Sequence, residues 1–129
     1  MLRRPPREER GAAIVDFALV SGLLTLVFVA VVQLAVVVHV RNTLADCASE
    51  GARLGALADS DPQAGVERTR QLITADLSGR YAADVSSGRE TVAGLDTVVI
   101  RVRAPLPVVG LFGLGRVITV EGHALAERP

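Results

Sequence analysis

Few side chains in this chain of 129 residues are placed to do chemistry, and the most conspicuous is a carboxylate. Asp16 stands at the head of a long apolar run, "RGAAIVDFALVSGLLTLVFV", residues 10–29. A charge at the centre of a membrane helix costs roughly 2.5–3.5 kcal/mol on insertion scales, and such residues are usually functional. The chemistry open to it is charge pairing in a medium that screens poorly. The bland alternative is a polar residue tolerated at the lipid–water boundary, near the positive end of a helix dipole. His39 and His123 are the only histidines. His39 reads as an interfacial residue at the membrane edge, and His123, which follows a strand-like run, as a surface or edge residue. Glu67, Asp76 and Asp84 read as helix-surface or loop residues. No Ser/His/Asp constellation, phosphate loop or zinc spacing is visible. The expectation is therefore no catalytic residue, no metal, no cofactor and no small-molecule substrate. Cys47 is the single cysteine, which excludes an intramolecular disulfide framework and a multi-cysteine metal site. It reads as a small packing residue, with an intermolecular disulfide outside the membrane as the alternative.

The element that must position Asp16 is a membrane helix. Residues 17–40 form a run of 24 without a charge. At about 1.5 Å per residue this spans a hydrocarbon core of about 30 Å. Ser21, Thr25, Gln33 and His39 are tolerable in a helix that bonds its own backbone. The run is too long for the apolar region of a secretory signal, and no good cleavage site follows it. Arg3, Arg4, Arg7 and Arg10 precede the span and Arg41 closes it. This arginine bias places the N-terminus in the cytoplasm and residues after 41 outside. Net charge is zero and aromatic content is 3%, so neither a basic surface nor a stacking platform for nucleic acid is indicated.

Helical periodicity continues past Arg41. Asp46, Glu50 and Arg53 fall on one face, and Leu44, Ala48, Gly51 and Gly55 on the other. The first helix is expected from about residue 12 to 58. The spacing of Gly51 and Gly55 allows close backbone approach. Packing against the protein's own domain is the expected use of Ala48, Gly51 and Gly55, and an intermolecular seam is the alternative. A second helix is expected over about 62–78, with Asp61 as N-cap, Pro62 in the first helical position and Gly79 as a stop. "VSSGRETVAG" reads as turn-rich. "DTVVIRVRAPL" and "RVITVEGHALAE" alternate and predict strands at about 97–104 and 116–124. The linker "PLPVVGLFGLG" is too long for a tight hairpin. The fold class is α+β: a long N-terminal helix, transmembrane and then amphipathic, carrying a small helix and antiparallel strands, in pilin-like fashion.

Two resemblances give Asp16 a context. Basic residues, Gly11, four residues, an acid and then an apolar helix resemble the class III signal of pilins and pseudopilins. In that family a membrane prepilin peptidase cuts after the glycine on the cytoplasmic side, which here implies the bond between Gly11 and Ala12. The family's usual acid is glutamate, so Asp16 keeps the charge and lacks one methylene; Ala12 also departs from the usual phenylalanine or methionine. The chain further resembles the TadE-like family of tight-adherence pilus assembly proteins. Arg10, Gly11, Val15, Asp16, Phe17 and Ala18 match its opening pattern. Ala48, Glu50, Gly51, Ala52 and Arg53 match the segment that follows its span, and "ITVEGHALAER" is similar to the family's closing strands.

The resemblance implies residues 1–11 as a cytoplasmic leader, 12–41 as the transmembrane helix and 42–129 as an extracytoplasmic domain. It implies a single-pass protein of the bacterial cytoplasmic membrane that works as a minor pseudopilin or assembly component of a tight-adherence (Flp-type) pilus. Its partners would be other pilins, the prepilin peptidase and the assembly machinery. If Ala12 gains a free amine, Asp16 would compensate it or a neighbour's and favour one register between subunits. The alternative function is a membrane-anchored extracytoplasmic binding or sensor domain, with Asp16 incidental.

Overall fold

A computed structural model describes residues 6–57, 59–107 and 116–127. The expected long linker lies largely outside these residues. The order is a 51-residue helix α1 (Pro6–Ala56), a helix α2 (Pro62–Asp76), a short 3-10 turn (Gly79–Ala82) and strands β1 (Asp84–Val92), β2 (Leu95–Pro105) and β3 (Val117–Leu125). The chain divides after Ala35 into two compact units.

In the first unit α1 begins at Pro6, earlier than the expected residue 12. Proline suits the first helical position, and Glu8 and Glu9 face the positive end of the dipole in the first turn. The leader next to Gly11 is therefore helical. From Ile14 to Leu34 the large apolar side chains are exposed. This is the one helix, among the described residues, long and apolar enough to cross a membrane. The Thr25 hydroxyl donates to the Ser21 carbonyl at 2.8 Å, so it adds no unsatisfied donor to the apolar surface.

The second unit is a helix pair laid on one face of a three-stranded antiparallel meander, β1-β2-β3. Val40, Leu44, Cys47, Ala48 and Ala52 of α1 are buried with Val66 and Ile73 of α2 and with Ile100, Val102, Ala104, Ile118 and Val120 of the sheet. Asp46, Glu50 and Arg53 are exposed, so the polar and apolar faces fall as the periodicity requires. The Asp61 carboxylate accepts from the Gln63 N–H at 3.0 Å and Pro62 opens the helix, which settles the start of α2. The helix stops at Asp76, and Gly79 begins the 3-10 turn.

The main correction concerns β1. The segment read as turn-rich is a nine-residue strand, and Asp84, read as a helix or loop residue, opens it. Only Val85 in it is buried. An edge strand facing water along most of its length needs no apolar alternation, and its conformation is imposed by pairing with β2 from Asp84↔Arg103 to Val92↔Leu95. The two strands join through Ala93 and Gly94, both at positive φ (52° and 78°), as a two-residue hairpin turn requires.

Candidate functional site

Two sets of residues were singled out by sequence, and they lie in separate units. In the first unit Gly11, Ala12 and Asp16 are all exposed on α1. No atom lies within 4 Å of where a side chain on Gly11 would begin. Ala12 and Asp16 are four apart, so they occupy the same helix face one turn from each other. An amine on residue 12 would therefore have the Asp16 carboxylate as its nearest acid along that face. The bond between Gly11 and Ala12 sits inside regular helix. A peptidase must unwind it, and glycine makes unwinding cheaper by about 0.8–1 kcal/mol relative to alanine.

In the second unit Ala48, Gly51 and Gly55 form the seat on which the rest of the head rests. A methyl group at Gly51 would overlap the Thr69 hydroxyl and come within 2.6 Å of the Gly65 carbonyl oxygen. One at Gly55 would stand 3.2 Å from the Pro62 Cα and 3.5 Å from Val98. Gly65 in turn abuts the Gly51 carbonyl, so α1 and α2 cross glycine on glycine. Gly122 of β3 lies directly on the backbone of Ala48 and Ser49. The glycine seam thus faces the protein's own α2 and sheet.

Sequence reading missed three partners in this seat: Gly65, Thr69 and Gly122. A signal for two of them was present. A glycine inside a helical pattern, or inside a strand, is costly unless another backbone approaches closely. Thr69 is fully buried, and its hydroxyl donates to the Gly65 carbonyl at 2.8 Å, with the Cys47 carbonyl 3.4 Å away. Nothing in the sequence marks it.

Cys47 is 3% exposed and its thiol faces the Asp76 carboxylate, Sγ to Oδ2 3.9 Å. Burial first, then the negative charges of Asp76 and Asp46, push the thiol up to about 11. A buried, protonated thiol is a poor partner for an intermolecular disulfide.

On the open face of the sheet Arg101 and Glu121 are directly opposite in register, and the Arg101 Nε donates to Glu121 at 2.6 Å. His123 stands 3.7 Å from the other oxygen of that carboxylate. All three are well exposed, so the cluster is a solvated cross-strand pair worth little to stability. Among the described residues no group of three or more His, Cys, Asp or Glu side chains could hold a metal ion.

What these features define is a class: an exposed apolar helical stretch in one unit and, in the other, a small α+β head whose core includes the later residues of α1. A family match narrows the class. Residues 11–53 match the family model described as TadE-like protein. That segment holds Gly11, Asp16 and two members of the seat, Ala48 and Gly51, and over it the resemblance read from the sequence holds. No curated protein and no solved structure matches the chain.

Proposed function

We propose that the protein is a minor pseudopilin or assembly component of a tight-adherence pilus. In this reading α1 is anchored in the bacterial cytoplasmic membrane, with its N-terminus in the cytoplasm and the α+β head outside. The role is structural rather than catalytic. The observation that carries the reading is the match over residues 11–53, which joins the Gly11–Asp16 pattern to the helix on which the head is built. The prepilin peptidase would act at the Gly11–Ala12 bond, and other pilins would meet Asp16 and the exposed apolar side chains of α1.

The test is the mature N-terminus. Mass spectrometry of the membrane fraction, from cells carrying the assembly machinery, should find a protein beginning at Ala12. Gly11→Leu should leave it uncut, because a peptidase that cuts at glycine has no room for a branched side chain there. An intact N-terminus in the unaltered protein would remove the processed-pseudopilin reading and leave the anchored binding domain in its place. A reporter active only in the cytoplasm, fused after residue 129, should be silent.

A further inference from the structure

The two ends of the head differ in charge, and the end that follows the apolar stretch in the chain can be identified. Gly122 lies on Ala48, and the Glu127 N–H donates to the Ala56 carbonyl at 2.8 Å, so β3 and α1 run in the same direction. Val117, where β3 starts, is therefore level with the beginning of this unit's helix, near Val40. The register carries the rest of the sheet to the same end: Pro105 pairs with Val117, Asp84 with Arg103, and the Leu106 N–H donates to the Arg116 carbonyl at 3.1 Å. The 3-10 turn, just before β1, joins them, and its Ala82 and Tyr81 pack into the same cluster as Val40, Ala104 and Ile118.

At this end stand Arg41, Arg80, Arg103 and Arg116, all exposed. None of the four makes an ion pair among the described residues. The acid at this level is Asp84, opposite Arg103; Asp76 is higher, at the level of Cys47. The far end carries Asp61, Asp96 and Glu127 around the Ala56 terminus of α1, and there Arg53 and Arg89 stand among the acids. Val37 and Val40 pack into the head core, and they follow the apolar residues of α1 directly in the chain. No linker residues intervene between that run and the basic end.

We propose that this end of the head rests on the outer surface of the bilayer and binds anionic lipid headgroups through Arg41, Arg80, Arg103 and Arg116. The inference rests on the reading of α1 as a membrane span. Each arginine near an anionic surface favours the docked state about fivefold, and the effect falls off within a Debye length of about 8–10 Å. Only groups at this end are close enough to contribute. Tyr81, half-buried at the same level, is of the residue type enriched where lipid meets water.

The chain contains no tryptophan, so a single one can report. Full-length protein with Val117→Trp is reconstituted in nanodiscs of phosphatidylcholine, with or without phosphatidylglycerol, and quenched by headgroup-spin-labelled lipid. Quenching should be stronger with the anionic lipid and should fall back in high salt. Arg80→Gln, Arg103→Gln and Arg116→Gln together should lower the docking equilibrium on the order of a hundredfold. The three arginines changed to lysine should retain docking, which separates charge from damage to the fold. Equal quenching in both lipids, or loss in the lysine variant as large as in the glutamine variant, would overturn the proposal. A second reporter, Leu24→Trp, tests the span separately. Absence of quenching by acyl-chain-labelled lipid there would remove the membrane reading itself, whatever the result at Val117.

Discussion

The Thr69 hydroxyl occupies the space that a side chain on residue 51 would need. The two helices of the head can cross there only because residue 51 is glycine, and the hydroxyl that fills the gap is satisfied by the Gly65 carbonyl. Gly51→Ala sets two effects against each other. Alanine is favoured in a helix by about 1 kcal/mol, while overpacking against Thr69 and the Gly65 main chain costs about 1–3 kcal/mol. Main-chain atoms give way less easily than the end of a flexible side chain, so destabilisation should win. Thermal unfolding of the detergent-solubilised protein should show a lower midpoint. Gly88→Ala, which meets no atom within 4 Å, is the control and should leave the midpoint unchanged or raise it.

Gly122→Ala should be worse. Its methyl would run into the carbonyl of Ala48 and the nitrogen of Ser49, both main chain in a helix that cannot yield locally. A loss of about 3 kcal/mol or more is expected, with β3 lifted from α1. Limited proteolysis would then cut in β3 while α2 stays protected. Resistance equal to that of the unaltered protein would mean that the strand can slide past the helix.

The hairpin turn offers a gain instead. Ala93 is held at φ 52°, a region in which residues with a Cβ pay roughly 1–2 kcal/mol and asparagine pays less. Ala93→Asn should raise the unfolding midpoint by a few degrees. A fall would show that the alanine methyl packs against something that asparagine disturbs.

This turn also explains what the sequence concealed. Asparagine followed by glycine would have announced a hairpin between "VSSGRETV" and "LDTVVIRV"; alanine followed by glycine does not. With the turn hidden and no apolar alternation, β1 had no local signature, since its structure comes from the partner strand. The elements that were legible carry their own physics. Asp61 and Pro62 mark a helix start by capping chemistry, β2 and β3 alternate because one face is buried, and the spacing from Leu44 to Gly55 is helical. The seat was half legible. Gly51 and Gly55 are spaced for close approach, but which backbone approaches depends on the fold, and Thr69 is an ordinary helix residue until α1 is laid against it.

Cys47 should be silent to thiol reagents in the folded protein at neutral pH and react once the protein is unfolded. Its folded pKa, about 11, lies above the ordinary thiol value of 9.0. The folded state thus keeps a proton that the unfolded state releases. Stability therefore falls as the pH rises from about 9 to about 11, by at most about 1.4 kcal/mol for each pH unit crossed. Cys47→Ala removes that dependence, so its stability curve should be flatter over this window. A parallel decline in both proteins would assign the loss to other groups.

Asp16 can be tested apart from insertion. Asp16→Asn leaves the apolar run unchanged and removes a charge, so membrane levels should not fall. Asp16→Glu keeps the charge. If the carboxylate pairs with an amine in an assembly, asparagine should reduce crosslinking to partner pilins and glutamate should preserve it. Equal crosslinking by all three proteins would mark Asp16 as merely tolerated at the helix start.

The bond from the Glu127 N–H to the Ala56 carbonyl has a consequence for biosynthesis. On the ribosome α1 emerges first, and its inward face, from Val40 to Ala56, has no cover until later segments arrive. The glycine side of Ala48 waits longest, because β3 follows α2, β1 and β2 in the chain. During that interval the helix is already long enough to enter the bilayer, while its upper half exposes the very face that the finished head hides. In the reading of α1 as a membrane span, insertion can thus precede folding by the time needed to translate some 70 residues, about 4–14 s at 5–20 residues per second. A nascent chain stalled before β3 would present a bare backbone groove to any neighbouring helix, so timing, as well as sequence, selects what settles on Ala48.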